Sequence, residues 1–374
     1  MNYDVIIIGG GPAGIAAAIK LSSASTSTRL IEKNKYPRDK TCAGILTQKT
    51  ISFLKENLCF SEMEHIISSN QVAIMYKSNN VGQFSVQAPF FFVERNVFDN
   101  KLLNMCRKNG THIIEGLTVT KILPDENKLI LSNDQTHTYK YLIVADGVFS
   151  QTSKLLGLPN IPAAFCIQDT FERSLCPEPL KYLQDLQLNF GDIALGYSWI
   201  VPYQNHIIVG TGAFTDCVNY PLLLEKHIKL CNHVGLLNFA KRRGAFVPTG
   251  GFENQKEQPY NNIVMVGDAA GLANPLTGEG IYHALLSGVY AADSYLLNSQ
   301  NSKKIYLSLL QPTIEQLIEQ KKLLSKLYSP LLLESILFQL KDCPEYLSAI
   351  CDDVISLETR NYGSFAMEIQ QLLR

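Results

Sequence analysis

The amino-acid sequence predicts an α/β fold in which a parallel sheet is interrupted by a large, mainly antiparallel insertion. A short β-branched run, Val5-Ile6-Ile7-Ile8, leads directly into a glycine-rich turn, as a buried parallel strand does before a helix. Residues 163–213 contain strand-like segments with little helix between them, which is typical of an antiparallel sheet. A further apolar strand at 263–266 meets a second Gly-Asp turn. The parallel strands are therefore predicted to come from distant parts of the chain.

The N-terminal segment has the layout of a Rossmann-like, dinucleotide-binding βαβ unit. Its turn reads Gly9-Gly10-Gly11-Pro12-Ala13-Gly14 and opens a helix rich in small residues. In such a unit Gly9 permits the tight turn, Gly11 admits the pyrophosphate and Gly14 lets the helix pack close to the sheet. The helix N-terminus offers N–H groups and a positive dipole end to the phosphates. The second strand ends at Glu32, a residue type that accepts hydrogen bonds from a ribose.

Periodicity and turn residues predict the remaining elements in order. Helices are predicted at 48–58, 96–108 and 281–297, and from 297 onward the chain is also predicted to be helical. Short strands are predicted at 71–76, 83–87 and 90–93. A meander is predicted from strands at 111–114, 118–122 and 128–132. The next strand, 141–145, ends in Asp146-Gly147.

A second glycine-rich segment follows the late apolar strand. Asp268 at the strand end can hold a sugar hydroxyl, and the turn Gly278-Glu279-Gly280 opens a helix whose N–H groups can face an anion. In a flavoenzyme these features match the ribityl chain and the N1/C2=O edge of the flavin ring. That edge carries negative charge when the flavin is reduced, so a helix dipole stabilises it. The alternative interpretation is a plain turn in which Asp268 caps a helix.

Further motifs can be compared with a known family. The loop after Glu32 reads Pro37-Arg38-Asp39-Lys40-Thr41-Cys42-Ala43-Gly44, and Arg95 precedes a helix that carries Phe98 and Asp99. With the segments 267–271 and 275–281, these motifs make the chain similar to the geranylgeranyl reductase family of FAD-dependent oxidoreductases. That family has the glutathione-reductase/p-hydroxybenzoate-hydroxylase type of fold. Ala43 replaces the first glycine of the family loop Pro-Arg-x-Lys-x-Cys-Gly-Gly.

The resemblance implies bound FAD and a set of residues that contact it. These residues are Gly9, Gly11, Pro12, Ala13, Gly14, Glu32, Lys33, Arg38, Cys42, Ala43, Gly44, Leu46, Arg95, Val119, Asp146, Gly147, Gly267, Asp268, Pro275, Gly278, Glu279, Gly280 and Ile281. The order of the predicted strands, with an antiparallel insertion between strands of one parallel sheet, implies a discontinuous FAD-binding domain at 1–70, 90–158 and 258–300. A substrate domain with the antiparallel sheet is predicted at 71–89 and 159–257, and a C-terminal helical region at 301–374.

The segment Tyr197-Ser198-Trp199-Ile200-Val201-Pro202 is followed, after seven residues, by Gly210-Thr211-Gly212. It resembles the family motif Tyr-x-Trp-x-Phe-Pro and Gly-x-Gly, with Val201 in place of phenylalanine. The resemblance implies that Tyr197, Trp199 and Pro202 line a substrate cavity. Spacing alone predicts only that Tyr197 and Trp199 share one face of a strand, as core residues also do.

Two residues are candidates for catalysis. A Cys42 thiol beside the flavin can donate a proton, and the alternative is a small apolar loop residue. His283 lies on the helix predicted to point at the flavin, where it acts as an acid or base or contacts the substrate; the alternative is a packed helix residue. No metal site is predicted, because no Cys/His cluster has zinc spacing.

The resemblance favours a reductase that transfers a hydride from reduced flavin to a C=C bond of a small apolar, isoprenoid-like or otherwise unsaturated substrate. A flavin-dependent monooxygenase or halogenase of a small metabolite is the alternative, and a non-catalytic FAD-binding protein is a second one. The chain has no second glycine fingerprint of the kind that binds a nicotinamide dinucleotide. The reductant is therefore predicted to be transiently bound NAD(P)H or a reduced protein donor.

Composition limits the partners. The net charge of −1 predicts no nucleic-acid binding. Nine cysteines without disulfide-like spacing predict free thiols and a cytoplasmic location. No run is apolar enough for a transmembrane segment, which leaves peripheral membrane contact open.

Overall fold

A computed structural model of the chain describes residues 1–61, 66–214, 219–237, 239–257 and 259–327, together with residues 334 and 337. Most of the predicted C-terminal region beyond residue 327 therefore lies outside the described residues. Within the described ranges, no helix combines the length and the hydropathy that a membrane crossing requires.

Fifteen strands and eight α-helices are described, together with four short 3-10 helices. The strands are β1 Asn2–Ile8, β2 Thr28–Glu32, β3 Ile45–Leu46, β4 Ile67–Tyr76, β5 Asn79–Phe92, β6 His112–Glu115, β7 Val119–Leu123, β8 Lys128–Leu131, β9 Thr136–Val144, β10 Ala163–Glu172, β11 Leu186–Phe190, β12 Gly196–Pro202, β13 His206–Ala213, β14 Lys241–Pro248 and β15 Ile263–Met265. The helices are α1 Pro12–Ser23, α2 Gln48–Leu58, α3 Arg95–Lys108, α4 Gln151–Leu155, α5 Glu178–Lys181, α6 Tyr220–His233, α7 Ile281–Leu297 and α8 Ser302–Leu327.

The first sheet is the predicted Rossmann-like sheet. Its order is β6-β2-β1-β9-β8-β7, and β15 also pairs with β9. Strands β6, β2, β1, β9 and β15 run parallel, whereas β7 and β8 form an antiparallel hairpin that continues into β9. Strand β9 has three neighbours. It pairs with β1 along one edge, and along the other edge its first residues pair with β8 and its last residues with β15. The prediction that a late strand completes this sheet is confirmed.

The second sheet has eight strands in the order β14-β10-β13-β12-β11-β4-β5-β3. All its pairs are antiparallel except β11 with β4, which run parallel. The predicted fold class, an α/β domain with a mixed antiparallel insertion and C-terminal helix, is therefore confirmed. The predicted domain boundaries stay a prediction, and two of them, at 70/71 and 89/90, fall inside β4 and β5.

Two predicted details are wrong. The strand predicted at 111–114 does not belong to a meander, because β6 pairs in parallel with β2 and only β7, β8 and β9 form the meander. The strands predicted at 83–87 and 90–93 are one strand, β5, in which Pro89 does not interrupt the backbone. The β4–β5 pairing shifts register at two bulges, and these shifts break the alternation of apolar and polar residues by which the sequence would indicate one continuous strand.

Helices α1 and α7 pack closely on one side of the first sheet. Their facing residues are small, and Gly288 of α7 is placed so that a Cβ atom there would lie 2.1 Å from the carbonyl oxygen of Ala13. Such an approach is open only to glycine. It fixes the position of α7, and therefore of the turn before it, against the N-terminal glycine turn.

Candidate cofactor and substrate cavity

A single cavity of about 740 Å³ joins the two sheets. One end is bounded by the N-terminal glycine turn, Glu32 and the loop that contains Arg38 and Cys42. The other end is bounded by aliphatic and aromatic side chains of the second sheet. A polar region suited to a dinucleotide and an apolar region suited to a second ligand are therefore continuous.

The glycine turn is shaped for close approach by a ligand. A Cβ atom at Gly9 or Gly14 would lie 2.2 Å from the Ala145 oxygen or 2.0 Å from the Gly9 oxygen, so both residues are fixed by packing. A Cβ atom at Gly11 would meet only the Arg38 guanidinium, at 3.8 Å, and this residue faces the cavity. The turn opens α1 at Pro12 with no side-chain cap. Its free N–H groups fit an anionic diphosphate.

Glu32, predicted to bind a ribose, is held by hydrogen bonds from the backbone around the first glycine turn. Its carboxylate accepts hydrogen bonds from the backbone N–H groups of Gly10, at 2.7 Å, and Asn34, at 2.8 Å. The side chain is held in one orientation at the cavity wall. Each carboxylate oxygen keeps further acceptor capacity for a ribose hydroxyl.

A buried ion cluster supports the loop beside Glu32. Arg95 donates to both oxygens of Asp99, at 2.9 and 2.8 Å, and the Arg38 guanidinium approaches the same carboxylate at 3.5 Å. Asp99 is fully buried. Burial opposes ionisation of Arg95, but Asp99 and then Cys42 raise its pKa above the usual value. Arg95 therefore stays charged at the cavity wall, next to the space for a diphosphate.

The second glycine turn faces the same cavity. Gly280 caps α7 without a side-chain hydrogen bond, and a Cβ atom there would lie 3.2 Å from Asp268 Oδ1. Asp146 Oδ1, at the end of β9, is buried and has no hydrogen-bond partner among the described residues. The structure thus brings two acceptors, Asp146 and Asp268, and one uncapped helix N-terminus to the cavity wall. This donor and acceptor set fits a sugar alcohol and a flavin edge.

Glu279 is a half-buried residue of that turn. Its Oε1 accepts from the Thr50 hydroxyl and the Tyr282 backbone N–H, both at 3.3 Å, while Oε2 has no described partner. Burial raises the pKa of Glu279 to about 7, although the two hydrogen bonds and Lys49 act in the opposite direction. The carboxyl group therefore exchanges a proton near neutral pH.

This pKa predicts a pH-dependent stability. An unfolded glutamate ionises near pH 4.5, whereas Glu279 keeps its proton in the folded state up to about pH 7. The folded state binds the extra proton between these values, so the free energy of unfolding falls as pH rises through this window. The full effect is about 3 kcal/mol. Glu279→Gln, which imitates the protonated form, should match the wild type at pH 5 and exceed it at pH 8 in urea unfolding. A wild-type-minus-variant difference that does not change with pH would contradict the assignment.

The apolar end of the cavity is built on alternating residues of adjacent strands. Tyr197 and Trp199 of β12 both line it, as predicted for residues on one face. The Tyr197 hydroxyl donates to the Thr277 carbonyl oxygen at 2.6 Å and so connects the sheet to the second glycine turn. The Tyr203 hydroxyl donates to the Ala43 carbonyl oxygen at 2.7 Å and fixes the Cys42 loop.

The structure brings most of the predicted site residues to the cavity and leaves six away from it. Those that do not line it are Gly14, Leu46, Pro202, Gly267, Pro275 and His283. His283 is 2 % exposed, and burial, together with Lys49, lowers its pKa to about 4. The His283 imidazole is therefore neutral, and it is buried in the first turn of α7. The contact roles predicted for all these residues stay predictions.

Several lining residues were not predicted. Cys166 and Gln168 lie on β10, and Phe149 and Phe246 lie at the cavity edge. The strand predicted at 163–171 contained the signal for the first two, since alternate residues share a face. Phe149 and Phe246, whose ring centroids are 4.6 Å apart, come from segments far apart in the sequence.

A buried group of metal-ligand type lies outside the cavity. Ligand atoms of Asp169, His227 and Cys231 lie within 4.8 Å of one another. However, Arg242 donates to both oxygens of Asp169, at 2.8 and 2.6 Å. His227 is also held by Thr211 at 2.9 Å. The guanidinium already neutralises the carboxylate, so we describe this group as a hydrogen-bond network beneath α6.

The chain is similar to known proteins over most of its length. The sequence profile described as pyridine nucleotide-disulphide oxidoreductase matches residues 3–180. An uncharacterised protein of Methanosarcina barkeri is 30% identical over 298 residues, which cover 78% of this chain and 74% of that protein. Menaquinone reductase of Mycolicibacterium smegmatis is 27% identical, with 78% and 75% covered. Digeranylgeranylglycerophospholipid reductase 2 of Methanosphaera stadtmanae is 27% identical, with 78% and 77% covered.

A solved structure shows the same fold. The geranylgeranyl bacteriochlorophyll reductase-like protein of Thermoplasma acidophilum superposes with a TM-score of 0.74 and 19% identity, and 99% of each chain is covered. The motifs, the two sheets and these relatives all point to one family. The chain belongs to the geranylgeranyl reductase and menaquinone reductase family of FAD-dependent oxidoreductases.

Proposed function

We propose that the protein is an FAD-dependent reductase of carbon–carbon double bonds in an apolar, isoprenoid-like or otherwise unsaturated substrate. The observation that carries this proposal is the continuous cavity, which passes from the dinucleotide turn to an aliphatic and aromatic sheet face. The names of the reductase relatives support the reaction type.

The residues at the polar end fit FAD. The first glycine turn and the Arg38 loop would hold the diphosphate, Glu32 the adenosine ribose, and Asp268 with the start of α7 the ribityl chain and ring. When bound, FAD would supply the two electrons of the reduction as a hydride equivalent. The reductant is proposed to be NAD(P)H or a reduced protein donor that binds transiently.

The chain's own residues would orient the substrate, exclude water and provide a proton. Trp199 and Tyr197 would present apolar surface to the substrate and so help to exclude water. Cys42 lines the cavity, and its sulfur accepts from the Gly44 backbone N–H at 3.4 Å. Glu279 holds a proton that is available near neutral pH. Either group can return a proton to the substrate carbon that does not receive the hydride.

Anaerobic half-reactions test this function. The purified protein should be yellow and release FAD rather than FMN on acid treatment. After reduction under nitrogen, mixing with a panel of isoprenoid and quinone lipids should reoxidise the flavin in stopped-flow absorbance and add two hydrogen atoms to one lipid. Trp199→Ala should raise the substrate constant with FAD occupancy nearly unchanged. Reoxidation only by oxygen, with an oxygen or halogen atom in the product, would instead establish the monooxygenase or halogenase alternative.

A further inference from the structure

A neutral amide side chain interrupts the apolar end of the cavity. Gln168 of β10 is 8% exposed and lines the cavity. Hydrogen bonds of the described residues do not include its side-chain amide, although the amide carries two donors and one acceptor. Its amide nitrogen and oxygen are not among the fully buried side-chain atoms that lack a partner, so they open onto the cavity, where a ligand can form hydrogen bonds with them.

Strand register places Gln168 beside the aromatic wall. Gln168 is paired with Gly210 on β13, and Gly210 is paired with Trp199 on β12, so the three residues share one face of the sheet. A Cβ atom at Gly210 would lie 2.0 Å from the Trp199 indole. The indole therefore lies over Gly210, on the side of β12 from which Gln168 approaches.

The same row becomes aliphatic in the opposite direction. Trp199 is paired with Leu188 on β11, and Leu188 is paired with Ile74 on β4. Both aliphatic residues line the cavity. The row thus passes from an amide through an indole to two aliphatic side chains, which matches a ligand with one polar end.

The polar end is neutral. None of the lining residues that the described strands of the second sheet contribute is Asp, Glu, Lys or Arg. Burial, and after it Cys42, raises the pKa of the adjacent Cys166 thiol to about 12, so that thiol is uncharged. Beyond Gln168 the row continues to Arg243 on β14, which does not line the cavity and is ion-paired with Asp39.

We propose that Gln168 determines substrate specificity by hydrogen-bonding a neutral carbonyl or hydroxyl oxygen at the polar end of the substrate. This inference rests on the proposed function. The apolar part of the substrate then lies along Trp199, Leu188 and Ile74.

Calorimetric titration of the oxidised, FAD-loaded protein tests the inference with three probes that share one chain: geranylgeraniol, geranylgeranyl diphosphate and the matching isoprenoid hydrocarbon. The wild type should bind the alcohol most tightly. Gln168→Met, which is similar in size but apolar, should weaken alcohol binding about fivefold to tenfold, as loss of one net hydrogen bond predicts. Its affinity for the hydrocarbon should not fall. Gln187→Leu is the matched control, because Gln187 lies between the lining residues Leu186 and Leu188 and does not itself line the cavity.

The outcomes separate the two proposals. The role of Gln168 is overturned, while the reductase proposal stands, if the Gln168→Met variant binds the alcohol as tightly as the wild type does or loses FAD. The same conclusion follows if the wild type binds the diphosphate more tightly than the alcohol. If the FAD-loaded wild type binds none of the three probes, the isoprenoid substrate class is overturned, and the inference with it.

Discussion

Gly288→Ala is expected to destabilise the protein by about 3 kcal/mol or more, although alanine is the better helix former. In an exposed helix this substitution stabilises by about 1 kcal/mol. Here the new Cβ atom would lie 2.1 Å from the Ala13 carbonyl oxygen, which is backbone and cannot rotate away. Helices α1 and α7 must separate, and the small residues between them lose contact. Urea unfolding followed by circular dichroism measures the change.

Leu297→Ala on the same helix is the control, because this side chain is 70% exposed. Its effect should stay within about 0.5 kcal/mol. The Gly288 variant should also lose FAD occupancy, since α7 carries one glycine turn and α1 the other. A Gly288→Ala protein as stable as the wild type would show that the two helices can move apart without cost.

Asp99→Asn is expected to cost about 3–5 kcal/mol, because it leaves two guanidinium groups near the cavity without their shared carboxylate. Arg95 is 8% exposed and donates to both oxygens of Asp99. Asparagine keeps the shape of the side chain but offers one acceptor and no charge. The expected result is a lower urea midpoint with an unchanged slope.

Glu319→Gln provides the contrast, since Glu319 and Lys322 form an exposed pair at 2.7 Å on one helix. Exposed pairs of this kind contribute less than about 1 kcal/mol. If both substitutions change the midpoint equally, burial is not what makes the Asp99 cluster important.

Local patterns predicted the elements that are defined by nearby residues. The helix predicted at 48–58 is observed at the same bounds, and in the structure the Thr47 hydroxyl caps it by accepting from the Thr50 N–H. The two glycine turns could be predicted because a few adjacent residues determine the backbone conformation of each turn. The confirmed fold class followed from the order of these local signals.

Pairings and contacts between distant segments could not be predicted from local patterns. The sequence of β6 does not indicate whether this strand pairs with β2 or with β7, and in the structure it pairs in parallel with β2. The contact between Glu279 and Thr50 joins residues from distant segments, as does the link between Arg38 and Asp99. Gln168 was overlooked because a polar residue in a predicted strand is normally assigned to the solvent face.

The late strand β15 has a consequence for how the chain folds during synthesis. Residues 263–265 complete the first sheet beside β9, and α7 then covers α1, so the nucleotide-binding half closes only after the whole second sheet has left the ribosome. The parallel pairing of β11 with β4 likewise waits for a long intervening segment. Such a high contact order slows folding and leaves the unpaired edge of β9 exposed on the nascent chain. The two halves are thus expected to mature together.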